Sequence, residues 1–311
     1  MNWNLFVTEL VSGITHGSVY SLIALGYSMV YGILKLLNFA HGDIYMVGAY
    51  IGLGIVTVLG GPFALTVNVA LLLFLMFLCS MLGGGLLGVM IERFAYRRLR
   101  NAPRIAPLIT ALGVSFFLEN AAQLVLGAQQ QSYNSFSWTN TPIALSHFTL
   151  PSGAVVSYAS VIVVVGAVVL MVALTLFVQR TQTGKAMRAT SFDREAAAMM
   201  GIDVDRVIVV TFFIGSALAG AAGVFNCISY QQVFPTMGFQ AGLFAFTAAV
   251  VGGIGNLPGS VLGGLLIGLA EAFSIGYISS TFEQAIVFAI LIAVMLVRPS
   301  GILGRAAVQK V

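Results

Sequence analysis

The sequence predicts an all-α integral membrane protein: a polytopic bundle of eight transmembrane helices, nine if one ambiguous segment crosses, with broken or re-entrant pieces. Three observations carry this expectation. Of 311 residues, 59% are hydrophobic and 8% charged, whereas average soluble domains carry about 25% charged residues. The charges also cluster, leaving uncharged runs at 10–34, 44–91, 120–179 and 207–270. A hydrocarbon core takes roughly 20 apolar helical residues to cross, so every run is long enough for at least one span. Finally, stretches such as LLLFLMFLCSMLGGGLLGVMI and VIVVVGAVVLMVALTLFV are apolar on every face. A membrane barrel would instead alternate polarity along short strands, and a backbone in lipid has only those two ways to satisfy itself.

Basic residues set the orientation, because loops rich in Lys and Arg stay cytoplasmic. Arg93, Arg97, Arg98, Arg100 and Arg104 share one loop, and Arg180, Lys185, Arg188, Arg194 and Arg206 another. Arg298, Arg305 and Lys310 occupy the C-terminal tail. The connections 128–153 and 229–240 carry no charge and are expected outside.

From these anchors the spans fall in order at 9–33, 65–91, 105–127, 154–179, 207–228, 241–256, 259–277 and 284–297. The opening MNWNLFVTEL lacks the basic region of a cleaved signal, so the first run is expected to remain as a span. The segment 40–59 is the ambiguous one. It follows the polar stretch KLLNFAHGD and reads as a broken or re-entrant piece, giving eight spans with both termini inside. If it crosses, there are nine and the N-terminus is outside. The whole of 1–311 is one permease-like transmembrane domain, with the loop 180–206 as its one sizeable cytoplasmic excursion.

An internal echo links YGILKLLNFAHGDIYMVGAYIG to VGGIGNLPGSVLGGLLIG, each passing from Gly-Ile through an Asn-containing break into a glycine-punctuated helix. With eight spans the two breaks would face opposite sides, the arrangement of inverted repeats in transporters. Cys79 and Cys227 lie in apolar runs, without metal-ligand spacing, and read as small buried hydrophobes.

Three stretches could carry function. Asn38, His41 and Asp43 form the most polar cluster among the apolar runs. Ionisable groups at membrane depth face the bundle interior or a water path, so these residues are candidates for a translocation path, together with Asn256. The same residues also suit a helix N-cap. Gly252, Gly253, Gly255, Pro258 and Gly259 interrupt any regular helix and suit either a tight turn or a hinge. The loop 180–206 mixes five basic with four acidic residues around the helix-forming DREAAAMMG. Isolated carboxylates such as Glu271 and Glu283 raise the alternative of a stand-alone secondary transporter, although no two sit at a spacing that builds a relay. No pair of carboxylates, His-x-x-x-His or Ser/His arrangement suggests an enzyme.

Five blocks then carry a resemblance: GSVYSLIALGYSMVYGILKLLNFAHGDIYMVGAY, IERFAYRRLR, GIDVDRVIVVTFFIGSALAGAAGV, FTAAVVGGIGNLPGSVLGGLLIGLAEA and RPSGILG. In this order, over essentially the whole chain, they resemble the permease subunit of branched-chain amino-acid ABC transporters, of the LivH type. The resemblance implies half of a translocation path, shared with a second related permease subunit. It also implies two ATP-binding subunits on the cytoplasmic face and an extracytoplasmic binding protein delivering leucine, isoleucine or valine. No cofactor is expected in this chain, because ATP and Mg would sit on the partner ATPases; a Gly-x-x-x-x-Gly-Lys-Ser/Thr motif is missing here. Membrane lipid is the remaining expected partner, and nucleic acid is not one. Arg194, Glu195, Ala196, Ala197 and Gly201 match the core of the Glu-Ala-Ala-x-x-x-Gly loop that importer permeases present to their ATPases. The Ile-x-Leu-Pro usually found downstream is replaced by DVDRVIVVT. The same family resembles permeases for urea, short amides and other amino acids, which remain alternatives for the solute. The expected location is the bacterial inner membrane.

Overall fold

The structure is a computed structural model describing residues 3–60, 69–99, 102–103, 105–132, 147–149 and 155–304. Arg100, Arg104, Arg305, Lys310 and most of the uncharged connection 128–153 lie outside the described residues. The helices are α1 (Trp3–Leu34), α2 (His41–Gly60), α3 (Val69–Ile91), α4 (Ile105–Leu126), α5 (Tyr158–Arg180), α6 (Gln182–Phe192), α7 (Arg194–Met199), α8 (Val204–Tyr230), α9 (Met237–Gly252), α10 (Leu257–Tyr277) and α11 (Glu283–Val297). Among the described residues, eight helices are long and apolar enough to cross a membrane, and α9 is a shorter apolar helix. α6 and α7 are the short polar pair of the 180–206 loop.

The sequence makes the inner helices small-residue-rich because their backbones touch. Without a hydrophobic drive between helices in lipid, close van der Waals approach does the work, and a Cβ would obstruct it. Gly13 and Gly17 of α1 meet the backbone of Leu269 and Leu265 on α10, and Gly264 of α10 meets Ser21 of α1. Gly48 of α2 lies on Gly220 of α8, and Gly84 of α3 faces the Ser216 carbonyl of α8. The most apolar stretches of α1 and α8 are 83% and 78% buried, whereas those of α3, α4 and α5 are each 28% buried. The large side chains of those outer helices, such as Phe74, Phe117 and Val169, point outward. In water this would be an aggregation surface; in lipid it is the ordinary exterior.

Contacts fix the direction of the inner helices. α10 runs antiparallel to α1, with Gly276 beside Glu9 at one end and Gly255 beside Gly32 at the other. Arg194 of the basic loop donates to the Ile33 carbonyl, 2.8 Å away, so α1 ends on the basic face. Tyr96, at the end of α3, donates to Asn38 Oδ1 at 3.1 Å, placing the start of α2 towards the same face. The tail closes the basic face, with Ile302 N donating to Val251 O at 2.9 Å. On the opposite face, the two-stranded ladders β1 (Gln131–Ser132) with β4 (Gln232–Val233), and β2 (His147–Thr149) with β3 (Val155–Ser157), cover the helix ends.

The count of eight long apolar helices agrees with the expectation, but a different segment falls short. Residues 41–60 form one unbroken helix rather than a re-entrant piece. The break lies before them, and the backbone turns directly into the helix: His41 N donates to Asn38 O at 3.1 Å and Ile44 N to Ala40 O at 3.3 Å. Asp43 then sits in the first turn, where a negative charge suits the helix dipole. Consequently α1 starts on the face opposite the basic loops, so the arrangement with both termini inside is overturned. The two glycine-punctuated breaks also lie on one face: Gly255 N donates to Ser28 Oγ at 3.3 Å, near the end of α1. The two segments are therefore not an inverted pair.

Candidate functional site

The first candidate stretch begins where α1 stops. Lys35 closes the helix in the left-handed region, with φ 54°, and its amide returns to the Tyr31 carbonyl at 2.8 Å. Glycine is the usual occupant of such a cap, since a Cβ makes the conformation costly. The chain then turns through residues 36–40 into α2. Asn38 is 2% exposed, and its Nδ2 has no hydrogen-bond partner among the described residues. His41 is 1% exposed, and its ring packs edge-on against Tyr27 with centroids 4.8 Å apart. It fits because Gly26 leaves open the position where a Cβ would meet the imidazole. His41 Nε2 likewise lacks a partner among the described residues.

Asp43, in the same turn, points elsewhere. It is fully buried, facing Ser115 and Glu119 of α4, and its Oδ1 lies beside the backbone of Gly238 on α9. Glu119, 8% exposed, was legible only as an isolated acid; the structure brings it towards Asp43 from a helix far away in sequence. Asn256 does not join this cluster. Its Nδ2 donates to the Leu303 carbonyl at 2.6 Å, on the basic face.

The glycine-rich stretch is a tight turn pinned on both sides. Gly253 and Gly255 have φ values of +108° and +89°, which side chains disfavour. Gly252 packs on the Gly259 carbonyl, so α9 and α10 cross backbone to backbone. Pro258 falls in the first turn of α10, where its missing N–H costs nothing. Leu303 N donates to Gly252 O at 3.0 Å, so the tail holds the turn.

A polar network that the sequence reading missed as a unit lies towards the opposite face. His16 Nδ1 is 3.4 Å from Glu271 Oε2, and the Tyr20 hydroxyl donates to Glu271 Oε1 at 3.0 Å. The Tyr230 hydroxyl completes the chain on His16. Gln240 Nε2 donates to Glu283 Oε1 at 3.0 Å, tying the start of α9 to α11. The partners are tens to hundreds of residues apart, so no spacing pattern announces them.

On the basic face, α7 is built by its caps. Asp193 Oδ1 accepts from the amides of Glu195 and Ala196, each at 3.0 Å. Gly201, at φ +81°, closes the other end, with Ile202 N reaching Ala197 O at 3.1 Å. Ala197 faces inward and Glu195 outward. Phe192, Met199 and Met200 beside it are 89%, 81% and 83% exposed. Arg194 ties this unit to the end of α1 through the Ile33 carbonyl.

A family model described as the branched-chain amino acid transport system permease component matches residues 9–295. The chain belongs to that family. It is 42% identical over 306 residues to the high-affinity branched-chain amino acid transport system permease protein BraD of Pseudomonas aeruginosa, covering 98% of each chain. It is 41% identical over 307 residues to LivH of Escherichia coli K12, again over 98% of each. A probable branched-chain amino acid transport permease of Methanocaldococcus jannaschii is 27% identical, over 95% of this chain and 91% of that one. Membership in this permease family makes the chain a multi-pass membrane transport component rather than an enzyme, which accords with its helical architecture.

Proposed function

We propose that the chain is the membrane permease subunit of an ATP-binding-cassette importer for leucine, isoleucine and valine in the bacterial inner membrane. It forms half of the conduit beside a second, related permease subunit. Two ATPases carrying ATP and Mg dock on the basic face, and an extracytoplasmic binding protein delivers the solute to the other. The observation that carries this reading is α7: a doubly capped, rigid helix with Glu195 turned outward between exposed Phe192, Met199 and Met200. Contiguous exposed apolar groups outside lipid mark a protein contact. The Arg194–Ile33 link supplies a mechanical path from that contact to α1 and the break that follows. The buried polar break from Asn38 to Asp43 is the candidate lining of the path, and the turn 252–259 is the candidate hinge, moving together with the tail that holds it.

The test is reconstitution of the chain with its partner permease, ATPases and binding protein, followed by leucine uptake. Uptake is expected only with ATP and binding protein present. Equal uptake without ATP, or flux through the chain alone under an ion gradient, overturns the reading in favour of a secondary transporter.

A further inference from the structure

A cavity of about 430 Å³ opens on the basic face, not in the polar break. That lies within the range of small-molecule sites. Its walls are the end of α1, the end of α5, α6 and the turn before α10. Two cations line it, Lys35 and Arg188, and none of its lining residues is a carboxylate. Ile33, Val178, Met187 and Leu257 supply an apolar side. We infer that this cavity is a carboxylate-binding site that takes the transported aliphatic amino acid on the cytoplasmic side of the conduit.

Three features point the same way. Lys35 occupies a left-handed cap that glycine would fill with less strain, so something other than the backbone turn favours a long cationic side chain there. Arg188 uses one guanidinium nitrogen on the Val178 carbonyl and keeps further donors in a planar fork suited to a carboxylate. Lys35 is also crowded by its neighbours: partial burial and the Arg194 guanidinium push its pKa down. A bound anion relieves that repulsion. Apolar residues sharing a cavity with two cations match a molecule with a carboxylate at one end and a branched hydrocarbon at the other. Because Met187 and Arg188 belong to α6, directly ahead of α7, movement of the coupling helix would reshape the cavity and release its occupant.

The inference rests on the importer reading, and its test separates the two. The assembled transporter in nanodiscs, without binding protein, is titrated with leucine, with 4-methylpentanoate, which lacks the amine, and with leucinamide, which lacks the carboxylate. Leucine and 4-methylpentanoate are expected to bind, with leucinamide at least tenfold weaker. Lys35→Gly relieves the strained cap, so it should fold as well as the parent while binding leucine at least tenfold more weakly. Arg188→Gln should show a similar loss, with Lys35→Gly as the decisive variant because it breaks no hydrogen bond. Leucinamide binding as tightly as leucine, or Lys35→Gly within twofold of the parent, overturns the inference. So does occupancy by phosphatidylglycerol that leucine cannot displace, which would mark a lipid site. If the parent takes up leucine under ATP yet the variant binds normally, only this inference falls; if the parent takes up none, the importer reading falls first.

Discussion

Asp43 shows how much a single position can mean once its neighbours are known. It is a fully buried acid in the first turn of α2, facing the Ser115 hydroxyl and the Glu119 carboxyl of α4. An acid so placed lies in the space between α2, α4 and α9. Asp43→Asn keeps size and hydrogen-bonding capacity while removing the ionisable group. It is expected to lower leucine uptake without lowering membrane abundance, and normal uptake would reduce Asp43 to a helix cap. Glycines make the same point in packing. A Cβ at Gly48 would meet the Gly220 backbone, with the carbonyl oxygen at 2.7 Å, whereas one at Gly54, on the same helix, meets nothing within 4 Å. Gly48→Ala should destabilise by roughly 1–3 kcal/mol, since backbone cannot step aside. Gly54→Ala should be neutral or slightly stabilising, given alanine's higher helix propensity. Thermal melts of the two detergent-solubilised variants check the contrast; equal melting would show that α2 and α8 do not touch there.

Among elements, α7 depends most on local sequence, and its form was the most legible. Its start, its glycine stop and its outward glutamate are all local features of DREAAAMMG. Asp193→Ala removes two amide hydrogen bonds, and loss of such a cap costs about 0.5–2 kcal/mol of helix stability. Hydrogen exchange should therefore speed up in residues 194–199 while α1 and α8 stay protected. Glu195→Lys instead leaves the caps intact and reverses the charge at the exposed face of α7, where the ATPases are proposed to dock. It is expected to leave the fold unchanged and to abolish coupling, so that ATP is hydrolysed without uptake; unchanged uptake would make the loop a mere connector. The Arg97–Asp205 pair nearby, at 2.9 Å but half exposed on each side, contributes little, as exposed pairs do. α2 was less legible. Its helix is continuous because the polar residues that looked like a break sit at its start, and a helix start and a break have the same composition.

For the whole molecule, the decisive property is direction. Among the described residues eight helices are long enough to cross, and the shorter α9 runs from beside Gly42, at the start of α2, to the tail that closes the basic face at Val251. α10 runs antiparallel to α1, and α1 ends beside α7, which puts Trp3 on the face away from it. Cysteine substitutions at Asn4 and Ala198, in a chain whose own Cys79 and Cys227 are replaced, test this arrangement. An impermeant maleimide applied to intact cells should label position 4 and reach position 198 only after permeabilisation. Labelling of both from the same side would restore the topology with two inner termini.

Composition, charge clustering and local caps were enough for the membrane class, the basic face and the short helix α7, because each depends on residues close together in the chain or on sums over it. Which polar groups meet was decided by packing alone. Asp43 finds Glu119, and His16 finds Glu271, only after α1, α2, α4 and α10 have crossed. Lys35 and Arg188 share a cavity only because α6 folds back over the end of α1. Such pairings answer to helix geometry in three dimensions, and no periodicity along one strand of sequence encodes them.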